Sequence, residues 1–208
     1  MIVVIHPTYF PNVAHFVAML KANHVYFETA DNYQKQTFRN RTEIYGANGK
    51  LTLTLPVSYS QKHRQLYKDV QISNNEDWQQ LHLKSLESAY RMSPFFEFYI
   101  DELMPLFKKR FEYILDFNLE CFAVLLDCLQ LEIPTFKTAT FEKQPNFKAD
   151  YRPLVNKNFD VGKFEYYTQV FTEKHGFINN LSILDLLFNE GPNSESYLRQ
   201  QTLPKLLS

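Results

Sequence analysis

Glycine is scarce in this chain, with five residues in 208. That leaves little demand for flexible linkers, and no phosphate loop, Gly-x-Gly-x-x-Gly turn or Gly-x-Ser-x-Gly elbow occurs. Cysteine is rarer still, with two residues. Cys121 and Cys128 stand seven apart in an apolar helical pattern, and a rise of about 1.5 Å per residue puts them too far apart for a disulfide. Both therefore read as free thiols facing a core, in a reducing cytoplasm. No Cys-x-x-Cys or His-Glu-x-x-His spacing offers a metal site. No apolar run approaches the roughly 20 residues of a membrane span, and the opening "MIVVI" lacks the basic flank of a signal peptide. A cytoplasmic protein without stable membrane insertion is expected. A formal net charge of -1 provides no global field to gather nucleic acid, so none is expected as a partner.

What the chain has instead is aromatic side chains, 19 Phe and 13 Tyr, enough to fill a core with rings. Its length fits one domain over residues 1–208. The apolar, β-branched run at 2–6 predicts a strand buried on both faces of a mostly parallel sheet. Pro7 and Pro11 delay the helix until Asn12, which can cap "VAHFVAMLKAN". A second strand at 24–30 completes a strand-helix-strand unit. "RTEIYG" and "KLTLTLPVS" alternate around Ala47-Asn48-Gly49 as a hairpin, and "YKDVQIS" suggests another short strand. Helices are expected from about 76 to 91, capped by Asn75, and in pieces from 94 to 131, with Pro105 as a break or kink and Asn118 as a fresh cap. "EIPTFKTATF" returns to strand character. Residues 142–165 show no periodicity and read as a long functional loop. A helix capped by Asn180 ends at Gly191-Pro192, and a short one follows Asn193. The fold class is α/β: a Rossmann-like, mostly parallel sheet with a β-hairpin and a helical insertion.

In such a sheet ligands sit outside the carboxyl ends of the strands. His6, Tyr9, Asn12 and His15 occupy the first such turn. His6 can act as a base or polarise a carbonyl, Asn12 can donate to an anion, and His15 lies one helical turn in. The competing reading for each imidazole is a structural ring bonded to a backbone carbonyl. The His-x-Gly-His signature of nucleotidyl transferases does not fit, because the spacing differs and the glycine is absent. Arg39 and Arg41 flank Asn40, and their guanidinium forks suit a carboxylate or phosphate, or else blunt an exposed edge. If the segment is extended, both arginines share a face with Asn40 opposite. Trp78 and His82, at i and i+4, predict packing on one helical face. Asp185 either faces water or accepts from an arginine, a histidine or an exposed amide. Glu165, Tyr166, Tyr167, Gln169 and His175 form a polar-aromatic cluster able to stack on a sugar or base, or an aromatic cover on the sheet.

Three blocks, "IHPTYFPNVAHF", "FRNRTEIYGANGKLTLTLPVS" and "HGFINNLSILDLLFNEGPNS", with "AYRMSPFFEFY" between the last two, resemble the WbqC-like family over nearly the whole chain. The resemblance implies a role in O-antigen or related surface polysaccharide assembly, with glycine or other aminoacyl transfer to a nucleotide-linked amino sugar. It names no cofactor. Such a transfer requires a deprotonated amine, a stabilised oxyanion and a held diphosphate. His6, Asn12 or the helix amides, and Arg39 with Arg41 are the respective candidates, with His15 beside them. Tyr9, Asn40, Tyr166 and Gln169 are the further candidates for binding a nucleotide sugar or other anionic small molecule. A non-catalytic accessory of envelope biogenesis is the rival. Grouping of His6, Asn12 and an arginine around one cleft separates the two.

Overall fold

A computed structural model of the chain describes residues 1–60, 64–146 and 148–204. Strand β1 (Ile2–Ile5) is buried from Val3 onward because it has a neighbour on each side. The chain leaves it through Pro7 and Pro11 and enters helix α1 (Val13–Leu20), where the Asn12 side chain accepts from the His15 amide as a cap. Strand β2 (His24–Phe27) then returns parallel to β1. The hairpin β3 (Arg41–Gly46) and β4 (Gly49–Thr54) turns where Gly46 pairs with Gly49, and Gly49 takes a φ of 98° that a side chain would resist.

The minor strands β5 (Val57–Ser58) and β6 (Gln71–Ile72) pair antiparallel. Most of the "YKDV" segment expected as strand is a 3-10 turn over Tyr67–Asp69. Helix α2 (Trp78–Tyr90) starts later than expected and is capped by Asp77, not Asn75. Asp77 stands immediately before the first apolar residue buried by the helix, so its carboxylate is the one positioned to accept from the Gln80 amide. Pro105 lies inside helix α3 (Phe96–Lys108), which continues to its end. Helix α4 (Ile114–Cys128) begins before Asn118, so Asn118 is not a cap.

Strand β7 (Thr135–Lys137) joins the outer side of β2. Strand β8 (Lys148–Asp150) joins the free side of β1, giving a fully parallel sheet of order β7-β2-β1-β8. The sequence reading placed β8 inside an aperiodic loop. Three residues are too few to show alternation, and backbone pairing with β1 rather than side-chain pattern makes them a strand. Residue 147 of that stretch lies outside the described residues.

A short helix α5 (Thr172–His175) precedes α6 (Ile183–Glu190) and α7 (Ser194–Gln200). Ser182, not Asn180, caps α6. Asn180 turns to the other helix and accepts from the Ala14 amide of α1 at 2.9 Å. One apolar core joins α1, the hairpin and α2, α3, α4 and α6 to the sheet. Cys121 lies in it, whereas Cys128 is only half-buried, and both are free thiols.

Candidate functional site

Because all four strands of the main sheet run parallel, the residues that follow them emerge on one edge. The backbone shows this directly. The Glu28 amide donates to the Ile5 carbonyl at 2.8 Å, Thr138 to Phe27 at 2.9 Å and Tyr151 to Val4 at 2.9 Å. His6, Glu28, Thr138 and Arg152 are thereby brought to a common rim, the place where open parallel sheets hold ligands.

His6 is at the centre of a buried charged group. Arg39, only 1% exposed, directs Nη2 to Asp31 Oδ2 at 3.1 Å and to His6 Nε2 at 2.9 Å. Asp31 Oδ2 is 3.3 Å from the same imidazole nitrogen. A guanidinium only donates, so the closer contact makes Nε2 an acceptor and assigns the ring proton to Nδ1. Nδ1 has no hydrogen-bond partner among the described residues. Burial, then the Arg39 charge, lower the His6 pKa to about 4, against the pull of Asp31. His6 is therefore neutral at pH 7. Burial lowers the Arg39 pKa as well, with Tyr67 and Asp31 opposing it. The guanidinium packs over the Tyr67 ring at 5.5 Å, and Asn118 donates to both the Arg39 carbonyl (2.7 Å) and the Tyr67 hydroxyl. That accounts for a buried asparagine inside α4.

The turn that carries His6 into α1 is tightly held. Phe10 has a φ of 38°, a conformation that costs free energy for a bulky residue. Its carbonyl accepts from the Thr42 hydroxyl at 2.8 Å and the Ser182 hydroxyl at 3.1 Å. The first amides of α1 are also occupied: Val13 donates to the Leu181 carbonyl, Ala14 to Asn180 and His15 to Asn12. The expectation that these helix amides steady an oxyanion is thus corrected, since protein acceptors already take all three.

A second charged group lies farther along the same rim. Glu28, 1% exposed, accepts from Thr138 Oγ1 (2.8 Å), the Ala30 amide (2.9 Å) and Arg152 Nη1 (3.2 Å). Arg152 also forks onto Asp150, at 2.8 Å through Nε and 2.7 Å through Nη2. An open cleft of about 250 Å³ lies against this group, lined by Val4, Tyr26, Glu28, Lys137, Thr138 and Arg152 among others. His6, Asn12, Arg39 and Arg41 are not among its lining residues, so the expected grouping around one cleft is not found there, although the Arg152 charge helps to lower the His6 pKa.

Of the residues expected at a site, His6 and Arg39 meet directly. Asn12 Oδ1 and His15 Nδ1 pair at 2.7 Å, and His15 is fully buried, its pKa lowered to about 3 by burial and then by His6. Tyr9 is fully buried with its hydroxyl 2.8 Å from His82 Nδ1. His82 in turn packs against Trp78 at 5.5 Å, as the spacing predicted. Asn40 donates to the Leu55 carbonyl at 3.1 Å, at the end of the hairpin. Arg41 opens β3 half-buried, so the segment holding Arg39 and Asn40 is not yet strand. Tyr166 is exposed against Phe177, and Gln169 is buried on Asp185 at 2.8 Å. Asp185 neither faces water nor pairs with a base. It is completely buried and accepts from Tyr167 (2.6 Å), Gln169 and Tyr90 (2.9 Å), and burial raises its pKa to about 6 despite these donors. With a pKa of about 6 the carboxyl is mostly ionised at pH 7, and the three neutral donors take the place of a cation in stabilising it.

Sequence reasoning missed Glu28, Asp31, Thr138 and Arg152. A signal for the first two existed, since acidic residues just after a parallel strand belong to the carboxyl edge. Arg152 had none, because β8 was unreadable. Among the described residues there is no cluster of three or more metal-ligating side chains, and no helix is long and apolar enough to cross a membrane. No curated protein and no solved structure matches the chain. The model of the WbqC-like protein family, however, matches residues 6–157, which take in the first turn, both charged groups and every lining residue of the cleft except Val4. With more than half its length matched, the chain belongs to the WbqC-like protein family.

Proposed function

We propose that the protein acts in assembly of O-antigen or a related surface polysaccharide, as an acyl or aminoacyl transferase working on a nucleotide-linked amino sugar at the carboxyl edge of the sheet. The observation that carries the reading is an open cleft lined by Glu28 and Arg152 at the carboxyl edge from which His6, bonded to Arg39 beside Asp31, also emerges. Neutral His6, held at Nε2 by Arg39, offers its Nδ1 proton to the acyl carbonyl as negative charge develops on oxygen. Lys137, on the cleft lining, meets the diphosphate. Asp31 and Arg39 act by orienting the imidazole.

A non-catalytic, ligand-binding role is the second reading, favoured by one feature: Asp31 and Arg39 neutralise one another, and His6 and Arg39 are almost wholly enclosed. A thermal-shift screen with UDP-linked amino sugars and glycyl donors tests both. A ligand at a hundred times its Kd stabilises by about 2.7 kcal/mol, and Lys137→Glu should abolish the shift from the nucleotide sugar. Binding with transfer of the acyl group supports the enzyme, binding alone supports the accessory role, and a wild type indifferent to every compound removes both.

A further inference from the structure

Residues 139–146 contribute Ala139, Thr140, Glu142 and Pro145 to the lining of the cleft, and they contain no regular element. Their attachment is unusual. Among the described residues, every hydrogen bond and ring contact from this segment goes to one side chain, Arg152. The Glu142 carbonyl accepts from Nη1 at 2.8 Å, the Lys143 carbonyl from Nη2 at 3.2 Å, and the Phe141 ring covers the guanidinium at 5.0 Å. The remaining donors of Arg152 are committed to Glu28 and Asp150. The guanidinium therefore joins three things: the end of β2, the end of β8 and the strap of residues 139–146 that lines the cleft. By contrast, Thr138, where the strap begins, is bonded to the sheet through Phe27, Glu28 and Thr29.

From this we propose that 139–146 is a lid over the cleft, with Arg152 as its latch and Thr138 as its fixed hinge. The inference rests on the cleft being the site of ligand entry, and gives that site a means of regulation. Opening breaks two hydrogen bonds to backbone carbonyls and one ring contact. It leaves the ion pairs with Glu28 and Asp150 intact, so the sheet does not have to come apart.

Limited trypsin digestion of the whole chain reads the latch, because Lys143 is exposed on the strap and Lys84 is exposed on α2, remote in sequence. Arg152→Lys keeps the charge but not the fork. It should speed cleavage after Lys143 by tenfold or more while the rate after Lys84 stays constant. Equal rates after Lys143 in variant and wild type overturn the proposal. If Lys84 cleavage accelerates equally, the fold itself has loosened, and Phe141→Ala then decides. Selective acceleration after Lys143 supports the latch, and no change overturns it. UDP-glucosamine added to wild type should slow cleavage after Lys143. A latch that responds to Arg152→Lys but not to this sugar leaves the lid standing and counts against the transferase reading alone.

Discussion

The Nη2 of Arg39 lies 2.9 Å from Nε2 of His6, although 33 residues separate them in the chain. Burial, reinforced by that contact, keeps neutral an imidazole that would ordinarily titrate near neutrality, and the contact makes Nε2 its acceptor and leaves the proton on Nδ1. It also explains why Asp31 is tolerated against a buried ring: the guanidinium supplies one proton to each partner.

Removing Arg39 should be costly. Arg39→Ala leaves the Asp31 carboxylate, whose side chain is only 12% exposed, uncompensated, and breaking such a pair costs about 3–5 kcal/mol at full burial, somewhat less here. Urea denaturation at pH 7 should show a loss of about 2–4 kcal/mol. The double variant Asp31→Ala/Arg39→Ala should lose less than the sum of the single losses. Additive losses would mean the two groups are not coupled.

Acid should destabilise the protein above the ordinary carboxylate range. His6 and His82 have folded pKa values lowered to about 4 and His15 to about 3, mainly by burial. The unfolded chain binds their protons from about pH 6.5 downward, so their stabilising contribution is complete above 6.5 and is lost as the pH falls toward 4. Asp185, raised to about 6, acts in the opposite sense, binding its proton more readily in the folded state. Three groups outweigh one. The urea midpoint should fall between pH 7 and pH 5, with each imidazole adding a slope of at most about 1.4 kcal/mol per pH unit. A flat or rising midpoint contradicts this assignment.

Tyr90→Phe tests the Asp185 cluster. The Tyr90 hydroxyl accepts from the Tyr45 amide at 2.9 Å and donates to Asp185, so its loss strands a buried amide and removes one donor from the carboxyl group. A cost of about 1–3 kcal/mol is expected, larger at pH 8 than at pH 5, because the ionised carboxylate depends more on its donors. A cost independent of pH would show that Asp185 does not ionise in this range.

Gly191→Ala should be among the worst single substitutions. Gly191 has a φ of +51°, and an added Cβ would meet the Phe95 ring at 2.5 Å. Overpacking of about 1–3 kcal/mol adds to the conformational cost. Gly49→Ala has a φ of +98° but no atom within 4 Å of the new Cβ, so calorimetry should show a smaller fall in Tm. Equal losses would indicate that Phe95 moves aside freely.

Local chemistry was legible where it repeats along the chain. The run Ile2–Ile5, the Asn12 cap, the hairpin turning between Gly46 and Gly49 and the i,i+4 pair Trp78–His82 all depend on neighbours a few residues away. Caps were less legible where two candidates compete. Asn75 and Asp77, or Asn180 and Ser182, have suitable oxygens in each case, and the helix start decides which one meets a free amide. Asn180 found its amide on another helix, 166 residues back.

The sequence by itself determined an α/β chain of the WbqC-like family, with an aromatic core and a strand-turn-helix opening that places His6 at a carboxyl edge. Tertiary structure alone decided what His6 touches, that Glu28 and Arg152 meet across 124 residues, and that three residues at 148–150 become a strand. The reason is physical. Helices, turns and amphipathic strands are specified by short-range periodicity. The energy of a buried ion pair depends instead on distance and solvent exclusion, and for residues remote in the chain both exist only once the sheet has assembled.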